Sequence, residues 1–276
     1  PLFSTNLPEC EWIEFNAEGF SGSPAGIIYR NGSNERGVPL GGLGSGFITL
    51  CTDGTLDYYS TIFNAFMERN VEGPDDNLGR IVKDRSTVPS HKLPFIGLSI
   101  NDQVWLLSQS NVDGVKKPNK IDYWGHYPVA DIEYELEASV DVGLRSWSPF
   151  LPGDGVASNV PGAVFEVRLR NKEIKPQKGT LAFSFHGPRR DEMGFNAHGP
   201  NQNVVKEAKY DHSIVDNEFS GVDVSSTWED MTYAYAIRAL GGEDVRVGGE
   251  LHEKNWSDLA DGLPEISSSS GGSSIA

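Results

Sequence analysis

The chain has 276 residues, 38% of them hydrophobic and 22% charged, which is enough apolar material for one large core. A formal net charge of −16 repels polyphosphate and argues against nucleic acid or anionic membrane as partners. No apolar run approaches the ~20 residues needed to cross a bilayer, and two cysteines, Cys10 and Cys51, are too few for a disulfide framework or a structural zinc site.

The chain opens at Pro1 with neither an initiator Met nor a basic-then-apolar leader, which marks it as processed or as a fragment. Without a signal segment, and with two cysteines, the reading favours the cytoplasm. Residues before Asn34 are irregular, with Trp12-Ile13-Glu14-Phe15 as the one strand. Asn31-Gly32-Ser33 and Asn255-Trp256-Ser257 match the glycosylation acceptor pattern.

Gly37-Val38-Pro39-Leu40-Gly41-Gly42-Leu43-Gly44-Ser45-Gly46 then places five glycines in ten positions ahead of a β-branched, apolar run ending at Cys51. Neither Lys-Ser or Lys-Thr after the last glycine nor a helix follows, so a phosphate cradle is not predicted. Two readings stay open: strands crossing too closely for side chains, or a glycine-lined wall beside a cleft. Asp53-Gly54 predicts a tight reversal into Leu56-Asp57-Tyr58-Tyr59. Residues 61–69 allow two helical turns at most, and 68–94 read as one long polar loop.

Strand signals follow thickly. Residues 95–100 and 103–107 flank Asn101-Asp102, a turn that wants positive φ. Ile132, Tyr134 and Leu136 alternate with acidic residues, and Val140, Val142 and Leu144 continue the pattern into Arg145-Ser146-Trp147. Phe165, Val167 and Leu169 repeat it, as do Leu181, Phe183 and Phe185, then Val222 and Val224, then Tyr233, Tyr235 and Ile237. No segment of helical length carries apolar residues at helical spacing. The prediction is an all-β chain, a large antiparallel β-sandwich of two packed sheets with long loops and little helix. One domain spans 1–266, and 267–276 form a Ser/Gly-rich tail or truncated loop unable to bury a face.

The six histidines form no pair at metal-ligand spacing, so no metal and no cofactor are predicted. Ser45 lacks the nucleophile-elbow spacing, and Cys51 lies mid-strand where a thiol stays protonated. Glycoside hydrolysis needs two carboxylates, ~5–5.5 Å apart for retention or ~6.5–9.5 Å for inversion. With 39 acidic residues, carboxylates alone discriminate nothing. Asp154 and the Asp191-Glu192 pair lie in loops, but neither is assigned a catalytic role. Tyr123-Trp124-Gly125-His126-Tyr127-Pro128 is an aromatic cluster that reads either as packing or as a sugar-stacking platform.

Several motifs stand together in order: Pro39 to Gly46, Asp53-Gly54, Ile62-Phe63-Asn64, Gly125-His126-Tyr127-Pro128-Val129-Ala130, Gly143-Leu144-Arg145-Ser146-Trp147-Ser148-Pro149-Phe150, and Pro152-Gly153-Asp154 leading to Ser158-Asn159-Val160-Pro161-Gly162-Ala163. This set resembles the N-terminal domain of glycoside hydrolase family 116, which includes bacterial β-glucosidases and the non-lysosomal glucosylceramidase (bile acid β-glucosidase). The likeness covers Arg36 to about Phe185 and then fades, leaving 187–212 as a candidate insertion.

The resemblance implies an N-terminal β-sandwich packed on a C-terminal (α/α)6 barrel, in which the family's nucleophile and acid/base lie. It implies retaining hydrolysis of β-glucosides by the whole protein. No catalytic residue carries over onto this chain, which is expected to be inactive alone. Its partners are then the barrel and a β-glucoside held in the composite cleft. Three loops are expected at the cleft rim or the inter-domain contact: 41–45, with Gly42, Gly44 and Ser45; 124–127, with Trp124, His126 and Tyr127; and 145–154, with Arg145, Trp147 and Asp154. The alternative reading is an independent carbohydrate-binding, lectin-like sandwich.

Overall fold

A computed structural model describes residues 2, 27–30, 37–57, 92–187, 209–228, 231–241 and 244–276. The strand expected at 12–15, the turns at 61–69, most of the 68–94 loop, Cys10, Asn31 and the Asp191-Glu192 pair lie outside the described residues.

The short early strands are β1 (Ile27–Arg30), β2 (Pro39–Leu40), β3 (Ile48–Leu50), β4 (Leu56–Asp57) and β5 (Lys92–Leu93). Longer ones follow: β6 (Ile96–Ile100), β7 (Gln103–Leu106), β8 (Lys120–His126), β9 (Val129–Glu135), β10 (Val140–Trp147), β11 (Val164–Asn171) and β12 (Gly179–Phe185). The last are β13 (Asp211–Val215), β14 (Gly221–Trp228), β15 (Met231–Arg238), β16 (Val247–Gly249) and β17 (Ser273–Ile275), with one short helix, α1 (Glu253–Ser257), between the final two.

They form two five-stranded sheets, β1-β8-β9-β10-β11 (sheet I) and β16-β17-β12-β6-β7 (sheet II), a three-stranded sheet β13-β14-β15 (sheet III) and a four-stranded sheet β2-β3-β4-β5 (sheet IV). The ladders within these sheets are antiparallel. The fold is all-β, as the period-two alternation predicts, with two smaller sheets beside the expected pair. Asn101 and Asp102 have φ of 50° and 57°, the left-handed turn that joins β6 to β7.

One core runs through all four sheets, from Leu40 and Leu50 through Leu98 and Trp105 to Ile132, Leu144, Val222 and Ile237. Sheets I and II meet where Phe165 packs against Phe95 and Phe183, with ring centroids 5.4 and 5.2 Å apart. Sheet III joins sheet II where Tyr235 packs on Phe185 at 5.0 Å. Leu169 follows the inward alternation yet is half-exposed, because β11 is the edge strand of sheet I among the described residues.

Sheet II is buried on both faces. Leu98 and Trp105 point to the common core, while Val104, Leu106 and Ala182 meet Leu251, Trp256 and Leu259 on the other side. Trp256 is fully buried there, so the Asn255-Trp256-Ser257 acceptor pattern lies on a helix packed face-down. Asn255 is engaged as well, its side-chain oxygen accepting the His252 N–H that opens α1.

Two expectations change. The reversal at Asp53-Gly54 is wider than two residues: Leu50 pairs with Leu56, and the Asp53 carboxylate takes both the Thr55 N–H and the Thr55 hydroxyl. The Ser/Gly-rich end is no loose tail in its last residues. Ser273–Ile275 inserts as β17 between β16 and β12, with Ser273 and Ser274 fully buried. Low complexity fails as a guide because small hydroxyls fit a tight site and find partners. The Ser274 hydroxyl donates to the Gly249 carbonyl at 2.6 Å, and that of Ser273 meets Tyr235 Oη at 2.8 Å.

Gly97 in β6 leaves room for the Trp256 ring, since a Cβ there would stand 2.5 Å from it. Gly97→Ala is expected to lower stability by about 1–3 kcal/mol through overpacking, read as a shifted urea midpoint.

Candidate functional site

Alternation on sheet I sends Ile121, Tyr123, Ile132 and Leu144 inward, and so sends Trp124, His126, Asp131, Arg145, Trp147 and Glu166 to the opposite face. Register sets them in rows. Trp124, Asp131, Arg145 and Glu166 stand directly across β8, β9, β10 and β11, and His126, Val129, Trp147 and Val164 form the next row. Cross-strand neighbours on one face lie close enough to interact.

Asp131 is the centre of the first row. Its side chain is 2% exposed although it lies on the outer face, and Arg145 grips it with two bonds, Nε to Oδ1 at 2.7 Å and Nη2 to Oδ2 at 2.8 Å. His126 Nε2 stands 3.5 Å from Oδ2. Burial pushes the Asp131 carboxyl up, but the hydrogen bonds from Arg145 and His126 and their charge prevail and hold it below its ordinary 3.8. The Arg145 guanidinium is in turn held more firmly protonated, first by its hydrogen bonds to Asp131.

The three loops singled out in the sequence gather at one end of this sheet. Tyr127, joined to Pro128 by a cis peptide, packs edge-on against Phe150 at 5.4 Å. The Leu43 N–H donates to the Ser158 carbonyl at 2.9 Å, which ties the glycine loop to the 3₁₀ turn Ala157–Asn159. Gly42 is buried there because a Cβ would stand 2.5 Å from the Asn159 backbone. The close-crossing reading of the glycines holds at Gly42, while Gly44 and Ser45 are exposed at the loop's tip.

Asp154 has a local task. Its Oδ1 accepts the Val156 and Ala157 N–H groups at 3.1 and 2.9 Å and so opens the 3₁₀ turn. Ser158 closes the same loop, its hydroxyl donating to the Leu151 carbonyl and accepting the Leu151 N–H.

Thus Arg145 and His126 converge on one carboxylate, Trp124 and Trp147 share their face, and Tyr127, Gly42 and Asp154 shape the loops beside it. Asp131 itself escaped the sequence reading as one of many acidic residues on outward strand positions. Among the described residues no group of three His, Cys, Asp or Glu side chains is placed to hold a metal ion. The row holds two acids, Asp131 bound to Arg145 and, on the other side of Arg145, Glu166 bound to Arg168. It is a fixed charge and hydrogen-bonding surface, flanked by aromatic rings.

Residues 37–263 match the family model described as beta-glucosidase 2, glycosyl-hydrolase family 116 N-term. The chain belongs to this family. The match opens at Gly37, at the head of the glycine stretch, and continues past Phe185, where the likeness in motifs fades. All three loops and the Asp131–Arg145 pair of this family 116 N-terminal domain fall within it. No curated protein matches the chain at a significant level.

Asp131→Asn is expected to cost about 1.5–3 kcal/mol at neutral pH, because Arg145 loses a charged acceptor. The folded-state pKa of Asp131 lies below its unfolded value, so the pair's contribution is fully present above that value and is lost as pH falls through the folded one. Urea midpoints of parent and variant should therefore differ at pH 7 and draw together below the ordinary carboxylate value of 3.8. Equal midpoints at pH 7 would remove the pair from the domain's stability.

Proposed function

We propose that this chain is the N-terminal β-sandwich of a retaining β-glucosidase or glucosylceramidase-like hydrolase, that it braces an (α/α)6 catalytic domain, and that its loops line the rim of that domain's cleft. The observation that carries the reading is the end of the sandwich where the three loops meet. Leu43, Tyr127, Phe150, Leu151, Val156 and Val160 are all exposed there, Val156 at 88%. Scattered apolar side chains need no explanation, but a group confined to one rim is the mark of a docking surface. Arg145, held by Asp131 beside that rim, then offers a pre-positioned cation at the contact.

The family match supports the hydrolase class, and the resemblance in motifs supports the β-glucoside chemistry. On the outer face of sheet I the buried carboxylate is Asp131, and its pairing with Arg145 suits positioning rather than proton transfer. Catalysis belongs to the partner domain on this reading.

The 276-residue chain should give no turnover of an aryl β-glucoside, and clear turnover would refute the proposal. Calorimetric titration with cellobiose should give no heat, whereas an independent carbohydrate-binding module would bind it. Leu151→Glu with Val156→Glu should cut co-purification with a family 116 catalytic domain by about tenfold or more, yet shift folding stability by no more than ~0.5 kcal/mol, because both side chains are exposed.

A further inference from the structure

Alternation leaves a gap on the outer face of sheet I. Val142 and Leu144 point inward and are fully buried, so the outward position between them falls to Gly143, which has no side chain to fill it. Gly143 is buried all the same. Register sets Glu133 of β9 on one side of it and Arg168 of β11 on the other, in the row next to Asp131, Arg145 and Glu166.

Both of these side chains reach the backbone of one residue far away in the sequence. The Leu2 N–H donates to Glu133 Oε1 at 2.7 Å, and the Leu2 carbonyl accepts from Arg168 Nη1 at 3.3 Å. Strands neighbour at about 4.8 Å, so the two side chains start about 10 Å apart and close on Leu2 from either side of β10. Arg168 is aimed by Glu166, whose Oε1 accepts from its Nε at 2.7 Å. Each bond to Leu2 has an ionised partner, which makes it stronger than one between neutral groups. Neither bond involves the leucine side chain: the pair takes one N–H and one C=O, which every residue but proline offers.

We propose that Glu133 and Arg168 form a main-chain clamp that latches Leu2 over β10 on the outer face of sheet I, a device independent of the catalytic-domain reading. The latch opens without unfolding the sheet, because the ladders joining β9, β10 and β11 are complete without it. Its weaker jaw is Arg168, whose side chain is 43% exposed. Opening uncovers Gly143 and empties the clamp one row from Arg145, and closing covers both. The outer face of sheet I therefore has two states, set by a residue that lies outside the sheet.

Hydrogen exchange of the whole chain, resolved to single amides, tests the latch. The Leu2 amide is expected to exchange about tenfold or more slowly than an unstructured amide in the same sequence. Glu133→Ala, which removes the acceptor, should restore the unstructured rate, and Arg168→Ala should cost about threefold or more of the protection. Leu2→Ala should keep the protection at residue 2, since its main chain is unchanged. The Ile132 and Leu144 amides, read in the same spectra, should stay protected in all three variants and so report an intact sheet. Should Glu133→Ala loosen them, Glu133→Gln takes its place, with a rate between those of parent and unstructured chain. An unprotected Leu2 amide in the parent, or protection that survives loss of the Glu133 carboxylate, overturns the proposal. Protection lost in Leu2→Ala overturns it too, and assigns the hold to the leucine side chain.

Discussion

The hydroxyl of Tyr123 is the point from which the loop-bearing end of the domain is set. It accepts the Val38 N–H at 2.7 Å and donates to the Leu50 carbonyl at 3.3 Å, joining the core face of sheet I to the start of β2 and the end of β3 in sheet IV. Gly37 makes that approach possible, because a Cβ there would stand 2.3 Å from the same oxygen. A buried hydroxyl with both partners in place stabilises modestly, but one left with neither would cost more. This fixes the heading of the chain through β2, and with it the place where residues 41–46 meet the 157–159 turn. The glycine stretch is thus less a flexible loop than a sequence of close passages.

The two faces of sheet I obey different rules. Inward positions of its long strands carry no charged side chain, and Ser146 is a buried polar exception to their apolar character. On the outward face the burial of Asp131 is acceptable because Arg145 matches its planar carboxylate with two parallel bonds. Desolvation of the pair is only partial, since the Arg145 side chain is 25% exposed, so the balance of burial against pairing is milder than in a dry interior. What the pair supplies is direction. A guanidinium fixed from below cannot swing, and whatever meets this face meets a cation in one place.

Much of this was legible in the residues. Alternation in 132–136, 140–144 and 181–185 gave both strand type and inward set, since a half-buried strand must repeat every two residues. The three loops were singled out by motif likeness; hairpin register brings the 127–128 and 148–163 connections to one end, and the Leu43–Ser158 hydrogen bond ties the glycine loop to them. Asp131 could have been found in the same way: pairing Val142 with Tyr134 across the 136–139 turn places Asp131 directly opposite Arg145. Ser273 and Ser274 were beyond reach of such reasoning. A strand that packs through hydroxyl bonds and absence of bulk leaves no hydrophobic period, and it reads as linker until its neighbours are known. The same holds for Trp256, whose burial depends on Gly97, which lies far away in the sequence.

Sheet topology then gives the molecule a polarity that composition hides. β8, β9, β10 and β11 run the full height of sheet I, so each connection between them falls at one of two ends. The 127–128 turn and the 148–163 loop lie at the first, with aromatic and aliphatic side chains held outward by Asp154 and Ser158. The 136–139 turn and the 172–178 loop lie at the second, where exposed lysines, the exposed acids Glu135, Glu137 and Glu173, and one bare isoleucine stand together. The apolar rim and this end of mixed charge are therefore held about 24 Å apart. Strand length, more than any single residue, keeps them separate.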